Sequence, residues 1–315
     1  MGHHARAGPS RCLDAFAVAL NQASDGKGWY TSTVELQLTS LQLCEACRGV
    51  PTLHLTVERN VIPLLWPDGA TGATRGRAAA LRMTRVPALR PLKVVWKLAA
   101  LSMRHAGDAF SHVECLEFGD AFDYRVNRVA WPRGLKRLAF GKDFDRSVEH
   151  VRWPAALEEL TFGAWFNKPI ESVSFPETLR CLEFGRCFNQ PVRLVSWPAS
   201  LQELHFGREF SQPIAGVRWP ECLRIVEFGR YFNQPVSCVS WPASLQEISF
   251  GFSFSQPIRW VSWPASLRRL TFGYWFNEPI ERMSLPPSLE KLVVGTTFDQ
   301  PVDPAEWRGV EMCRE

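Results

Sequence analysis

The first stretch of the chain whose residue types and spacing could do chemistry is Cys44-Glu45-Ala46-Cys47. Two thiolates so spaced can hold a soft metal ion or cycle through a disulfide. A zinc site needs two further ligands, and His54 and His105 are the nearby histidine candidates. The motif stands alone, so plain thiols are its simplest reading. The seven histidines are scattered, and none sits in an H-E-x-x-H or triad-like setting. His205 projects from a strand-like stretch and reads as a surface position. Gly141, Gly163, Gly185, Gly207, Gly229, Gly251, Gly273 and Gly295 each stand three residues before a Phe, not before Gly-Lys-Ser or Gly-Lys-Thr, and are no phosphate loop. No catalytic residue, cofactor or metal is assigned, and the chain reads as non-enzymatic.

Those glycines recur every 22 residues, and the interval leads to the elements that must position everything else. The clearest unit runs from Trp197 to Arg218, W-P-A-S-L-Q-E-L-H-F-G-R-E-F-S-Q-P-I-A-G-V-R. Taking its Trp as position 0, the unit restarts at Trp131, Trp153, Phe175, Trp219, Trp241, Trp263 and Leu285. Eight regular units thus cover residues 131–306 without insertion or deletion, and Trp307 begins a stub, 307–315. A degenerate unit, 109–130, is marked by Leu116, Phe118, Gly119, Phe122 and Val129. Repeats of this length bury their apolar face only against their neighbours, so the units must stack.

Sorted by position, the unit divides into core and surface. Leu201, Leu204 and Phe206 stand at positions 4, 7 and 9, and the alternation around His205 at position 8 is that of a strand. Position 10 is Gly in all eight units, for a positive φ or for close backbone approach. Position 13 is always Phe, and position 14 is always Asp, Asn or Ser, whose stacked copies could form a ladder. Position 16 is Pro in seven of the eight units, Ser147 being the exception. A second strand is expected where Val217 and Trp219 face inward and Arg218 outward, ending at Pro220. The expected fold is mainly β: a leucine-rich-repeat-like solenoid of parallel strands, two strands per 22-residue coil, forming two sheets around an aromatic core.

Residues 1–108 do not repeat cleanly and are expected to form an irregular N-terminal cap. Arg11–Ala23 could be a short helix, while Thr33–Leu43 and Thr52–Val57 alternate like strands. Residues 67–80 look like a loop, and Leu89–Met103 reads as a decayed repeat or a closing helix.

The spelling S-L-x-x-L-x-F-G-x-x-F-N-Q-P-I-x-x-V-x-W-P resembles the FNIP-repeat family, a variety of leucine-rich repeat. Phe188-Asn189-Gln190-Pro191-Val192 and Phe232-Asn233-Gln234-Pro235-Val236 match its core most closely. Trp at position 0 departs from the family's usual Leu or Ile, which Leu285 keeps. The resemblance implies a solenoid used for protein–protein interaction and carries no catalytic residues. Some relatives join such repeats to F-box or kinase segments, and residues 1–108 show neither.

In a repeat protein specificity lies where units differ. Arg186, Arg208, Arg230, Phe252 and Tyr274 fall at position 11, and Trp165, Tyr231 and Trp275 at position 12. Together they predict a basic and aromatic stripe beside the first strand, composed of side chains enriched at binding hot spots. The structural alternative is that the arginines simply stack over rings lying on the outer turn. His205 adds to the face at position 8, and Lys136, Arg180, Arg224 and Arg268 at position 5 make part of it basic. An acidic protein segment is the partner this face suggests. A net charge of +4, with Glu183, Glu203, Glu209 and Glu227 interrupting the stripe, argues against nucleic acid.

At 46% hydrophobic and 22% charged residues the chain is folded and soluble, and it has no apolar run near the ~20 residues that span a bilayer. Asp14 interrupts the one candidate signal core, and Arg6 stands where a myristoylation motif has Ser or Thr. Nine cysteines without disulfide spacing point to free thiols in the cytoplasm, with the nucleus as alternative. The reading is an interaction scaffold without membrane attachment. Its alternatives are a substrate-recruiting subunit of the ubiquitin-ligase type, with residues 1–60 docking a partner, and a thiol or metal enzyme centred on Cys44 and Cys47. The short C-terminal stub leaves a strand edge through which the solenoid ends could self-associate.

Overall fold

In the computed structural model, the described residues are 53–57, 92–96, 113–302 except 121, 128, 130, 282 and 283, and 309–314. The helix expected at Arg11–Ala23, the strand at Thr33–Leu43, the loop at 67–80, and Cys44, Cys47, His105 and Trp307 lie outside them. Of the Leu89–Met103 stretch, only the strand at 92–96 falls within them.

Twelve strands are described: β1 (Leu53–Val57), β2 (Leu92–Trp96), β3 (Val113–Phe118), β4 (Arg137–Ala139), β5 (Glu159–Thr161), β6 (Cys181–Glu183), β7 (Glu203–His205), β8 (Ile225–Glu227), β9 (Glu247–Ser249), β10 (Arg269–Thr271), β11 (Lys291–Val294) and β12 (Glu311–Arg314). They form one sheet in chain order, every strand parallel to the next. From β3 to β11 each residue pairs with the one 22 positions on, as Cys181 with Glu203 and His205 with Glu227. Lys93 already stands 22 positions from its partner Cys115, so β2 shares the spacing of the regular units. At the other end β12 follows β11 after 20 positions, Lys291 pairing with Glu311, and adds a strand beyond the last regular unit.

A parallel solenoid is thus formed, but with one strand per coil. The expected strand at Val217–Trp219, and the second sheet with it, is replaced by turns. Val217 N donates to the Ile214 carbonyl at 3.2 Å, and Leu223 N to the Pro220 carbonyl at 3.2 Å. A third turn follows the strand, where Phe210 N donates to the Gly207 carbonyl at 3.1 Å. Two of these turns flank Trp219 closely, and Pro213 and Pro220 remove two ladder donors from that limb. What remains is extended but too short to pair. Its inward–outward alternation is as expected: Val217 and Trp219 are buried and Arg218 is exposed.

The core is a set of columns running along the stack. Position 13 supplies one, from Phe144 to Phe298, with successive ring centroids 6.0–6.2 Å apart. Position 9 supplies another, and the two meet within a unit, as Phe206 and Phe210 do at 4.0 Å. The polar ladder expected at position 14 is present. The Asn189 side-chain oxygen accepts from Ser211 N at 3.0 Å and from Gln212 Nε2 at 3.1 Å, and the same oxygen of Asn167 serves Asn189 N and Gln190 Nε2. Each carbonyl or carboxylate oxygen in this column satisfies a backbone donor that the turn leaves without a partner in its own coil.

The position-0 column is less satisfied. Trp219 and Trp241 stack at 5.9 Å, yet the indole Nε1–H groups of Trp131, Trp153, Trp197, Trp219, Trp241 and Trp263 are buried with no protein acceptor. Phe175 occupies the same position, buried and stacked on Trp197 at 6.3 Å, which shows that a six-membered ring fits. Trp219→Phe is therefore expected to shift stability by less than about 1 kcal/mol, since it removes an unpaired donor along with some apolar surface. Trp219→Ala is expected to lose about 3–5 kcal/mol. Urea denaturation of both variants checks the pair. Equal losses would mean that the N–H group, not the ring's bulk, is what holds the column.

Candidate functional site

Positions 6 and 8 of each strand point away from the core, and register stacks them into two rows across the sheet. Position 6 reads Arg137, Glu159, Cys181, Glu203, Ile225, Glu247, Arg269 and Lys291, and position 8 carries His205 between Glu183 and Glu227. Ion pairs between neighbouring strands run across this face, Arg269 with Glu247 at 3.6 Å and Lys291 with Glu311 at 3.6 Å, and Lys136, just before β4, pairs with Glu114 at 3.3 Å. Open to solvent and screened by it, such pairs add little to stability.

One place on this face departs from exposed ion pairing. Cys181, Glu203 and His205 bring one sulfur, one carboxylate oxygen and one ring nitrogen within 4.8 Å of each other, and all three residues are half-buried. His205 Nδ1 lies 3.0 Å from a Glu227 carboxylate oxygen, and Nε2 lies 3.7 Å from Glu203. The imidazole is pushed up to about 10, first by its hydrogen bond with Cys181 and then by that with Glu227, with burial opposing both. Glu227 is held below the ordinary carboxylate value, chiefly by the hydrogen bond with His205. The residue pattern marks His205 only as a surface position and a member of the candidate face, without the neighbours that the register brings to it. Glu203 stands two residues before His205 on the same strand and Cys181 one whole unit before Glu203, so the group joins different positions of adjacent units.

A folded imidazole that keeps its proton above the unfolded value of 6.5 stabilises fully below that pH and loses the contribution as pH rises through about 10. In metal-free buffer the His205 ring is expected to titrate above pH 6.5 by NMR, and both Cys181→Ser and Glu227→Gln should lower the midpoint. A wild-type midpoint at or below 6.5 would contradict the arrangement.

The stripe at positions 11 and 12 lies just beyond the strands. Trp165, Tyr231, Tyr274 and Trp275 are exposed at 56%, 45%, 37% and 57%, high values for rings of this size. Phe252 is half-buried and stacks on Tyr274 at 4.9 Å, and Trp275 meets Tyr274 edge-on at 5.2 Å. Arg230 lies over the Phe252 ring at 4.3 Å, and Arg208 lies over Tyr231 at 5.4 Å while donating to its hydroxyl at 3.2 Å. Arg186 pairs with Glu209 at 3.5 Å. Arg208 to Trp275 therefore forms one continuous set, whereas Trp165 lies toward the N-terminal end and His205 belongs to the strand face. Of the two rings under arginines, Tyr231 is exposed and Phe252 is half-buried. Among the described residues, Leu194 and Trp260 are the most exposed of the large apolar side chains, at 69% and 74%, and nothing in the residue pattern marks them. Both occupy position 19, at the outer corner of a turn, and only the turn's geometry exposes them.

The FNIP Repeat family model matches residues 144–187, 166–209, 210–253, 254–297 and 276–304, an overlapping run over more than half of the chain. The chain belongs to the FNIP-repeat family. A solved structure of CroV588, described as a novel circular LRR protein, is 32% identical with a TM-score of 0.56, over 70% of this chain and 36% of that one. The Toll–Spatzle complex of Drosophila superposes with a TM-score of 0.51 at 12% identity, over 70% and 36% of the two chains, a likeness of fold alone. The FNIP-repeat chain thus spans little more than a third of either matched chain. No curated protein matches it. Among its described residues, no helix is long and apolar enough to cross a membrane.

Proposed function

We propose that this FNIP-repeat solenoid is a non-enzymatic scaffold that holds an acidic segment of another protein against the stripe from Arg208 to Trp275. The observation that carries the reading is the exposure of Tyr231, Tyr274 and Trp275 beside Arg208 and Arg230 on consecutive coils. Rings already stacked on one another and under guanidinium groups are held in place, so a partner orders few side chains when it binds. Arginines over aromatic faces keep donors free for carboxylates, and the flat rings offer apolar area for the residues between them. Cytoplasmic or nuclear residence fits the unpaired thiols Cys115, Cys181, Cys187, Cys222, Cys238 and Cys313. A role in recruiting substrates for ubiquitin ligation would use the same stripe, with residues 1–60 as the second contact.

The double variant Arg208→Glu, Tyr274→Ala is expected to abolish partner binding and leave the thermal midpoint almost unmoved, because both side chains lie outside the core columns. Affinity purification followed by mass spectrometry compares what the two proteins retain. Identical retention would remove the stripe from consideration. Loss of the same proteins on deleting residues 1–60 would instead favour the recruiting role.

A further inference from the structure

We propose that Cys181, Glu203 and His205 bind a divalent transition-metal ion of the zinc class on the outer face of the sheet. The three come together through register. Cys181 and Glu203 are paired at position 6 of β6 and β7, and His205 lies two residues beyond Glu203 on the same side of β7. Their ligand atoms lie within 4.8 Å of one another. A tetrahedral site with bonds of about 2.0–2.3 Å needs such atoms about 3.3–3.8 Å apart. Rotation of the side chains covers that difference, and the parallel ladder beneath them need not move.

The donor set decides the class of ion. A thiolate with an imidazole suits zinc and its borderline-soft neighbours, whereas magnesium and calcium take oxygen ligands. One thiolate and one carboxylate neutralise a divalent charge, which favours burial of the complex against the strand face. Glu227 acts behind the site as a positioning residue. By accepting from Nδ1 at 3.0 Å it fixes the ring and directs Nε2, the nitrogen 3.7 Å from Glu203, to the metal, which on binding displaces the proton that nitrogen carries in the metal-free protein. Glu183 accepts from Thr161 Oγ1 at 3.4 Å, and the fourth position is assigned to water or to a partner's side chain. With three protein ligands and one open position, the site could join the scaffold to a partner that supplies the fourth ligand.

Cobalt(II) titrated into the full-length chain tests this, because a thiolate ligand produces a sulfur-to-cobalt charge-transfer band. One equivalent is expected to saturate the band in the Cys44→Ser, Cys47→Ser background, where the N-terminal motif cannot contribute. Cys181→Ser should abolish it, and His205→Gln should weaken affinity at least tenfold. Glu227→Gln is expected to weaken cobalt and zinc binding about 10- to 100-fold while retaining the band at saturation, as for loss of an outer hydrogen-bond partner. Cys181, His205 and Glu227 all lie on the outer face, so circular dichroism should show these three variants folded. A full band that persists in Cys181→Ser, or no thiolate band once Cys44 and Cys47 are replaced, would overturn the proposal.

Discussion

Gly207→Ala is expected to prevent the repeat region from folding cooperatively. A Cβ built on Gly207 would stand 1.7 Å from the Gly185 carbonyl oxygen and 2.6 Å from its carbon, both backbone atoms of the preceding coil. No side chain can move aside to relieve this. Relief requires the two coils to separate, which breaks the ladder and the aromatic columns together. The loss should exceed about 4 kcal/mol, the range in which single substitutions unfold domains of marginal stability. The Gly207 backbone does not need a positive φ; among the described glycines that property belongs to Gly216 and Gly309. Gly216→Ala is the natural control. There an added Cβ would meet Arg193 Nε at 3.4 Å, and the strain is that of φ +75, about 1–2 kcal/mol. Circular dichroism during urea denaturation distinguishes the two. A Gly207→Ala protein with a near-native midpoint would mean that the coils are spaced more widely than described.

Phe210→Ala should be the most damaging core truncation, with a loss near the upper end of about 3–5 kcal/mol. Its ring is fully buried, lies 6.1 Å from both Phe188 and Phe232, and stacks on Phe206 at 4.0 Å. Removal interrupts the column in both directions, and neighbouring rings held in the same stack cannot collapse into the gap. Stability in an array depends on interfaces between nearest neighbours, so weakening two of them can uncouple the halves. A biphasic urea transition is therefore expected in Phe210→Ala where the wild type shows one. A loss below about 2 kcal/mol would show that the column tolerates a gap.

The periodicity carried most of the fold because inward and outward positions repeat without a single insertion. Leu204, Phe206 and Phe210 were assignable from their spacing, and the Asn189 column followed from its chemistry. The glycine could not be resolved further than a positive φ or a close approach, because both demand the same residue and only the distance to the next coil separates them. The second strand failed for a related reason. Val217, Arg218 and Trp219 alternate equally well in a paired strand and in a short limb between two turns, and pairing is a property of neighbouring coils. In the candidate site, Arg208, Arg230, Phe252 and Tyr274 were legible as a column of like positions. The grouping of Cys181 with His205 was not, since it joins different positions of adjacent units and appears only when the sheet face is laid out row by row.

The constant 22-residue register has a consequence for the fidelity of folding. Every coil offers its neighbour nearly the same surface, so a strand could dock one unit too far and loop out the coil between, a hazard general to repeat proteins. In the middle of the sheet the face charges oppose this error even though they add little stability. If β7 were skipped, Glu183 would face Glu227; if β8 were skipped, Glu203 would face Glu247. Like charges directly opposite on a sheet are unfavourable. His205 and Ile225, the residues that stand between those glutamates, act as spacers that mark the order in which otherwise interchangeable coils must be laid down.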